Sequence, residues 1–104
     1  MDNNNYQKFA SYGLRPESKG KNPLVGFALG LAGEAGEVVD GIKKREYHGR
    51  TDEITVAHLV EELGDVMWYV ANIATTLGVT LDEVLERNCD KLRNRYPDLY
   101  KEEK

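Results

Sequence analysis

Between Asn22 and Gly78 the apolar residues return every three or four positions in two long runs split by a polar loop, and each run carries two carboxylates three residues apart. Recurrence at i, i+3, i+4 and i+7 marks amphipathic helices, and no stretch alternates with the period of two that a half-buried strand requires. The chain is therefore expected to be all-α, a four-helix-bundle-like structure with no internal repeat. At 104 residues it is expected to form one domain over residues 1–104, which should bury about two-thirds of its unfolded surface. The charged tail 98–104 is expected to fray.

Turn and cap residues set the expected boundaries. Tyr6, Phe9, Ala10 and Leu14 mark a short first helix that Pro16 and Gly20 would end. Asn22 and Pro23 read as the N-cap and first position of a second helix, which runs through Lys43, Lys44 and Arg45 and stops before Gly49. A third helix is expected from about Ile54 to Leu77, with Gly78 as its stop. Thr80 and Glu83 form a capping box for a fourth, which reaches about Arg95, before Pro97.

At about 100° per residue, Leu24, Phe27, Ala28, Leu31, Ala35, Val38, Val39 and Ile42 form the apolar stripe of the second helix, with Glu34 and Glu37 on its flank. On the third helix the stripe is Leu59, Leu63, Val66, Met67, Val70, Ile73, Ala74 and Leu77, and His58, Glu62, Asp65, Tyr69 and Asn72 form a polar strip beside it. Each helix thus presents a carboxylate pair about one turn apart. Four carboxylates brought together would raise one another's pKa values unless a cation neutralised them. Oxygen ligands without a thiolate cluster suit a hard ion such as Mg²⁺, Mn²⁺ or Ca²⁺. The alternative is a pair of ordinary solvated faces.

Five glycines, Gly26, Gly30, Gly33, Gly36 and Gly41, fall inside the second helix, where each costs about 0.8–1 kcal/mol relative to alanine. All but Gly36 fall on or near the flank of the acids. Close approach of a ligand and close approach of another helix both account for them.

Charge and composition remove several function classes. With 14 Lys and Arg against 18 Asp and Glu, the net charge of −4 and the lack of a dense basic face disfavour a nucleic-acid module. No apolar run reaches the ~20 residues of a membrane span, and the polar opening Met1 to Asn5 does not read as a signal peptide, so the expected location is cytoplasmic. Cys89 stands alone, which rules out an intrachain disulfide and leaves it as a small apolar side chain.

The Glu34 and Glu37 motif, the loop, and the ExxD motif of Glu62 and Asp65 within Glu61 to Tyr69 resemble the MazG-like, all-α nucleoside triphosphate pyrophosphohydrolase superfamily. The similarity covers about residues 24 to 97 and includes the basic stretch Lys91 to Pro97. The resemblance implies Mg²⁺-dependent hydrolysis of a nucleoside triphosphate to the monophosphate and pyrophosphate, Mn²⁺ as a substitute ion, and a homodimer or homotetramer. Glu34, Glu37, Glu62 and Asp65 would then be the metal ligands, with Glu34 or Glu37 also accepting the proton of the attacking water.

Asn88, Lys91 and Arg95 share one side of the fourth helix, and the resemblance makes them contacts to phosphate or sugar. Otherwise Asn88 is satisfied internally and the basic pair is exposed. Lys44 is a weaker phosphate candidate, a solvated lysine being the other reading. Tyr69 could stack on a base with Asn72 bonding nearby, or sit in a core or interface. Trp68 points away from the main stripe and is expected to be covered by a partner subunit, and His58 is expected to bond locally or lie exposed. Tyr6, Phe9 and Tyr12 are expected to shape the pocket. A non-catalytic oligomer that binds metal and nucleotide is the competing function. A di-iron bundle would need Glu-x-x-His pairs, which neither motif supplies.

Overall fold

In a computed structural model, described for residues 1–14 and 23–101, five helices follow one another: α1 (Asn3–Ser11), α2 (Pro23–Glu46), α3 (Val56–Leu77), α4 (Leu81–Arg95) and α5 (Pro97–Tyr100). No strand occurs among the described residues, and the all-α expectation holds. The expected stops at Pro16 and Gly20 and the Asn22 cap lie outside the described residues. Asp2 caps α1 by accepting from the Asn5 N–H at 2.8 Å, so the polar opening is itself a helix start. Thr55 accepts from the His58 N–H at 3.1 Å, and Thr80 does the same for Glu83 at 3.1 Å. Gly78 ends α3 at φ 80°, a left-handed conformation that glycine adopts without a Cβ penalty. Pro97 opens the one-turn α5 where a frayed tail was expected to begin.

Contacts between α2 and α3 dominate the packing, and α1 lies on α3 and α4. Gly41 faces Leu59 while Gly30 faces Tyr69, so α2 and α3 run antiparallel. Among the described residues the fully buried apolar core is small, consisting of Ala10, Ala71, Ala74 and Leu81, with Tyr6, Trp68, Val70 and Val79 packed against it. It sits at the junction of α1, α3 and α4. Gln7 locks this junction: its Nε2 donates to Thr75 Oγ1 at 3.0 Å and to the Val79 carbonyl at 2.9 Å, and its Oε1 accepts from the Leu81 N–H at 2.8 Å.

Ala74 of the expected third-helix stripe is core, but much of the two stripes is not. Val39 is 66% exposed and Leu77 60%, and Ile42, Leu63 and Met67 are exposed as well. The cause is geometric, since one hairpin of helices covers only one side of each. The radius of gyration, 16.7 Å, exceeds the roughly 13 Å of a compact chain near 100 residues. Trp68 departs from expectation too. Its indole packs against Phe27 and Tyr69, and a Cβ on Gly13 would lie 3.0 Å from its ring, so α2 and the turn after α1 of the same chain cover it.

Candidate metal and nucleotide site

The antiparallel register sets Glu34 of α2 against Glu62 and Asp65 of α3. One carboxylate oxygen from each of these three lies within 4.8 Å of the others. Oxygens on opposite sides of Mg²⁺ at 2.0–2.1 Å are about 4.2 Å apart, and around Ca²⁺ about 5 Å, so the three are spaced to hold one ion with small side-chain adjustment. Oε2 of Glu34 and Oε2 of Glu62 are buried and have no hydrogen-bond partner. A buried carboxylate oxygen with nothing to bond is costly, and a cation supplies what the protein does not. The donor set therefore fits a hard divalent ion.

Electrostatics agree with the geometry. Burial first, then the charges of Glu37 and Asp65, raise the Glu34 carboxyl above its ordinary range, and Glu62 adds to this. Burial also raises Glu62, followed by the nearby Glu37 carboxyl, while His58 pulls in the other direction. Glu37 interacts with both residues although it is itself exposed. His58 Nε2 lies 3.5 Å from Glu62 Oε1, which makes His58 a holder of a candidate ligand. Its spacing, one turn ahead of Glu62, is the sequence signal for that role.

Two recesses flank the carboxylates. One, about 360 Å³, is lined by Glu34, Asp65, Trp68 and Tyr69. The Trp68 and Tyr69 rings meet edge to face at 5.1 Å, and Phe27 contacts both. Tyr6 on α1 is within electrostatic reach: burial and then the Asp65 charge raise its phenol pKa. The other recess, about 290 Å³, includes Gly33, Gly36, Glu37, Lys44, His58 and Glu62 in its lining. The α2 glycines divide in the same way. Gly30 and Gly41 admit side chains of α3, whereas a Cβ on Gly26, Gly33 or Gly36 would meet nothing within 4 Å.

The remaining candidates fall elsewhere. Asn72 lines neither recess: it is fully buried and its Nδ2 donates to the Ala10 carbonyl at 3.3 Å, with Oδ1 unpartnered. It joins α3 to α1, and the expectation that it bonds beside Tyr69 is corrected to that extent. Asn88, Lys91 and Arg95 are exposed on α4, and no α4 residue lines either recess. Asp40 was not singled out from sequence. It lines the second recess and pairs with Lys44 at 2.7 Å.

Fold and site together define an all-α protein whose helical hairpin gathers carboxylates able to hold a divalent ion next to an aromatic recess. A model of the MazG nucleotide pyrophosphohydrolase domain matches residues 26–100, and the chain belongs to that family. It is also 46% identical over 69 residues to the Gene 37 protein of Mycobacterium phage L5, a match covering 64% of this chain and 60% of the phage protein's length. No solved structure matches. No helix among the described residues is long and apolar enough to cross a membrane.

Proposed function

We propose that the protein hydrolyses a nucleoside triphosphate, standard or modified, to the monophosphate and pyrophosphate. Mg²⁺ is the ion, Mn²⁺ substitutes for it, and Glu34, Glu37, Glu62 and Asp65 are the ligands. The observation that carries this reading is the pair of buried, unpartnered carboxylate oxygens on Glu34 and Glu62, with Asp65 within 4.8 Å, in a chain of this family.

When bound, the ion supplies charge neutralisation at the phosphates and lowers the pKa of water. The protein's own part is to orient and to accept a proton. Water oxygen bonds to the α-phosphorus, the bond from that phosphorus to the α,β-bridging oxygen breaks, and pyrophosphate leaves with the electron pair. The water proton passes to Glu34 or Glu37. Trp68 and Tyr69 offer the uncharged base an aromatic wall.

Asn88, Lys91 and Arg95 would meet the phosphate tail from an adjoining copy. The exposed apolar faces of α2 and α3, among them Leu29 at 70% exposure and Val39 at 66%, favour a homodimer or homotetramer, because contiguous apolar surface of this kind marks an interaction site. The test is a panel of nucleotides with Mg²⁺ or Mn²⁺ in which pyrophosphate and inorganic phosphate are measured separately. Pyrophosphate release that stops on chelation supports the proposal. Inorganic phosphate alone, or binding without turnover, overturns it.

A further inference from the structure

We infer that the recess at the C-terminal side of the acidic cluster is the pyrophosphate subsite, and that Lys44 leaves Asp40 to hold the departing group there. This rests on the hydrolase reading above and adds a direction to it, with the base toward Trp68 and Tyr69 and the phosphate tail toward Lys44.

The two recesses beside the carboxylates differ in chemistry. Trp68 and Tyr69 line the first together with Glu34 and Asp65, and it has no cationic side chain. The second sets beside the carboxylates of Glu37, Asp40 and Glu62 one ammonium, Lys44, a histidine occupied with Glu62, and the open backbone of Gly33 and Gly36. Missing Cβ atoms at those glycines leave room for a bulky anion to approach the helix. The neighbouring cation Arg45 is turned away, its Nη1 donating to the Ile54 carbonyl at 2.7 Å.

Lys44 stands seven residues beyond Glu37, about 10 Å along the helix axis. A flexible four-carbon stem on one side and two phosphoryl groups on the other can close that distance. In this structure the ammonium pairs with Asp40 at 2.7 Å, with both side chains more than a third exposed. Exposed i,i+4 pairs of this kind are worth little. A multiply charged phosphate offers a stronger, charge-assisted partner, so the lysine can exchange between the two. Asp40 thus parks Lys44 while the subsite is empty and competes with the product for it.

The test is calorimetric binding of pyrophosphate and, separately, of a nucleoside monophosphate to the whole protein at fixed free Mg²⁺. Lys44→Met is expected to weaken pyrophosphate about tenfold and leave the monophosphate unchanged, in line with loss of one bond to a charged group. Asp40→Asn should act in the opposite direction and tighten pyrophosphate, which a merely structural disturbance would not do. The inference is overturned if Lys44→Met leaves pyrophosphate binding unchanged or if both ligands weaken equally. A wild-type protein that releases no pyrophosphate from any nucleotide would sink the hydrolase reading itself, and the subsite with it.

Discussion

Gly30 and Tyr69 occupy one space: a Cβ on Gly30 would lie 2.8 Å from Tyr69 Oη and closer still to Cε1 and Cζ. The ring crosses α2 only because that position has no side chain, and its place there fixes one wall of the aromatic recess. Gly30→Ala should force the ring outward. Overpacking of this type costs about 1–3 kcal/mol, against roughly 1 kcal/mol gained in helix propensity. The melting temperature should fall and KM for nucleotide should rise. Gly26→Ala, where nothing lies within 4 Å, should instead stabilise by up to about 1 kcal/mol, or about 4–8 °C in a domain of this size. Thermal melts of both variants check the contrast, and an equal rise in the two would contradict it.

Removing one negative charge from the cluster while keeping its shape separates ligation from packing. Glu62→Gln and Asp65→Asn should each lower kcat by about 10²-fold or more, the scale on which loss of a group stabilising developing charge is felt. Mn²⁺ should not restore full rate. Steady-state kinetics with circular dichroism as a control for folding would show this. Rates within threefold of wild type would remove both residues from the ligand set.

Most of the helix ends were legible because each rests on a local signal: Thr55 and Thr80 cap through their own hydroxyls, and Gly78 takes the positive φ that only its residue type adopts freely. The carboxylate pairs were legible for a similar reason, since three-residue spacing on each helix is a local property. Their juxtaposition depended on register, which Gly30 and Gly41 set by admitting Tyr69 and Leu59. Asn72 shows the limit. Angular position put it in line with Glu62, Asp65 and Tyr69, but α1 lies over the end of that strip and buries it against the Ala10 carbonyl. A one-helix projection contains nothing about the neighbour that covers it. The exposed Val39 and Met67 repeat the lesson, because periodicity identifies an apolar face and not what covers it.

The raised carboxyls of Glu34 and Glu62 give the metal-free protein a definite pH response. A carboxyl raised above its ordinary 4.5 stabilises the fold fully below that value, and the contribution is lost as pH climbs through the raised value. Asp40 and Glu53 act oppositely: their pKa values are lowered by the hydrogen bonds from Lys44 and Arg50, and they lose their contribution only as pH falls below the ordinary range. Glu34→Gln should therefore melt higher than wild type near neutrality without metal, and the gap should close as pH approaches 4.5. Mg²⁺ at pH 7.5 should raise the wild-type melting temperature more than that of the variant, because ligand binding to the native state adds stability by mass action. A gap that is independent of pH would contradict the assignment of burial and repulsion as its cause.

Gln7 ties α1 to α3 and α4 through one side chain, although it lies outside the candidate site. One side-chain amide satisfies three groups on α3, the α3–α4 turn and the first turn of α4: Thr75 Oγ1, the Val79 carbonyl and the Leu81 N–H. The Leu81 N–H is one of the four that the start of a helix leaves without an internal partner, and Leu81 is itself 3% exposed, so water does not readily replace the lost acceptor. Gln7→Met keeps the volume and removes all three bonds. Stranding buried groups costs about 1–3 kcal/mol each, and the partial exposure of Thr75 places the total toward about 2–3 kcal/mol. At about 4–8 °C per kcal/mol, the melting temperature should fall by at least about 8 °C. The affinity for Mg²⁺ at temperatures below the transition should not change, since Glu34, Glu62 and Asp65 are carried by the α2–α3 hairpin and none of the three bonds of Gln7 is made to them. Differential scanning calorimetry and a metal titration on the same preparation would test both halves, and a loss of Mg²⁺ affinity matching the loss of stability would mean that α1 helps to assemble the site.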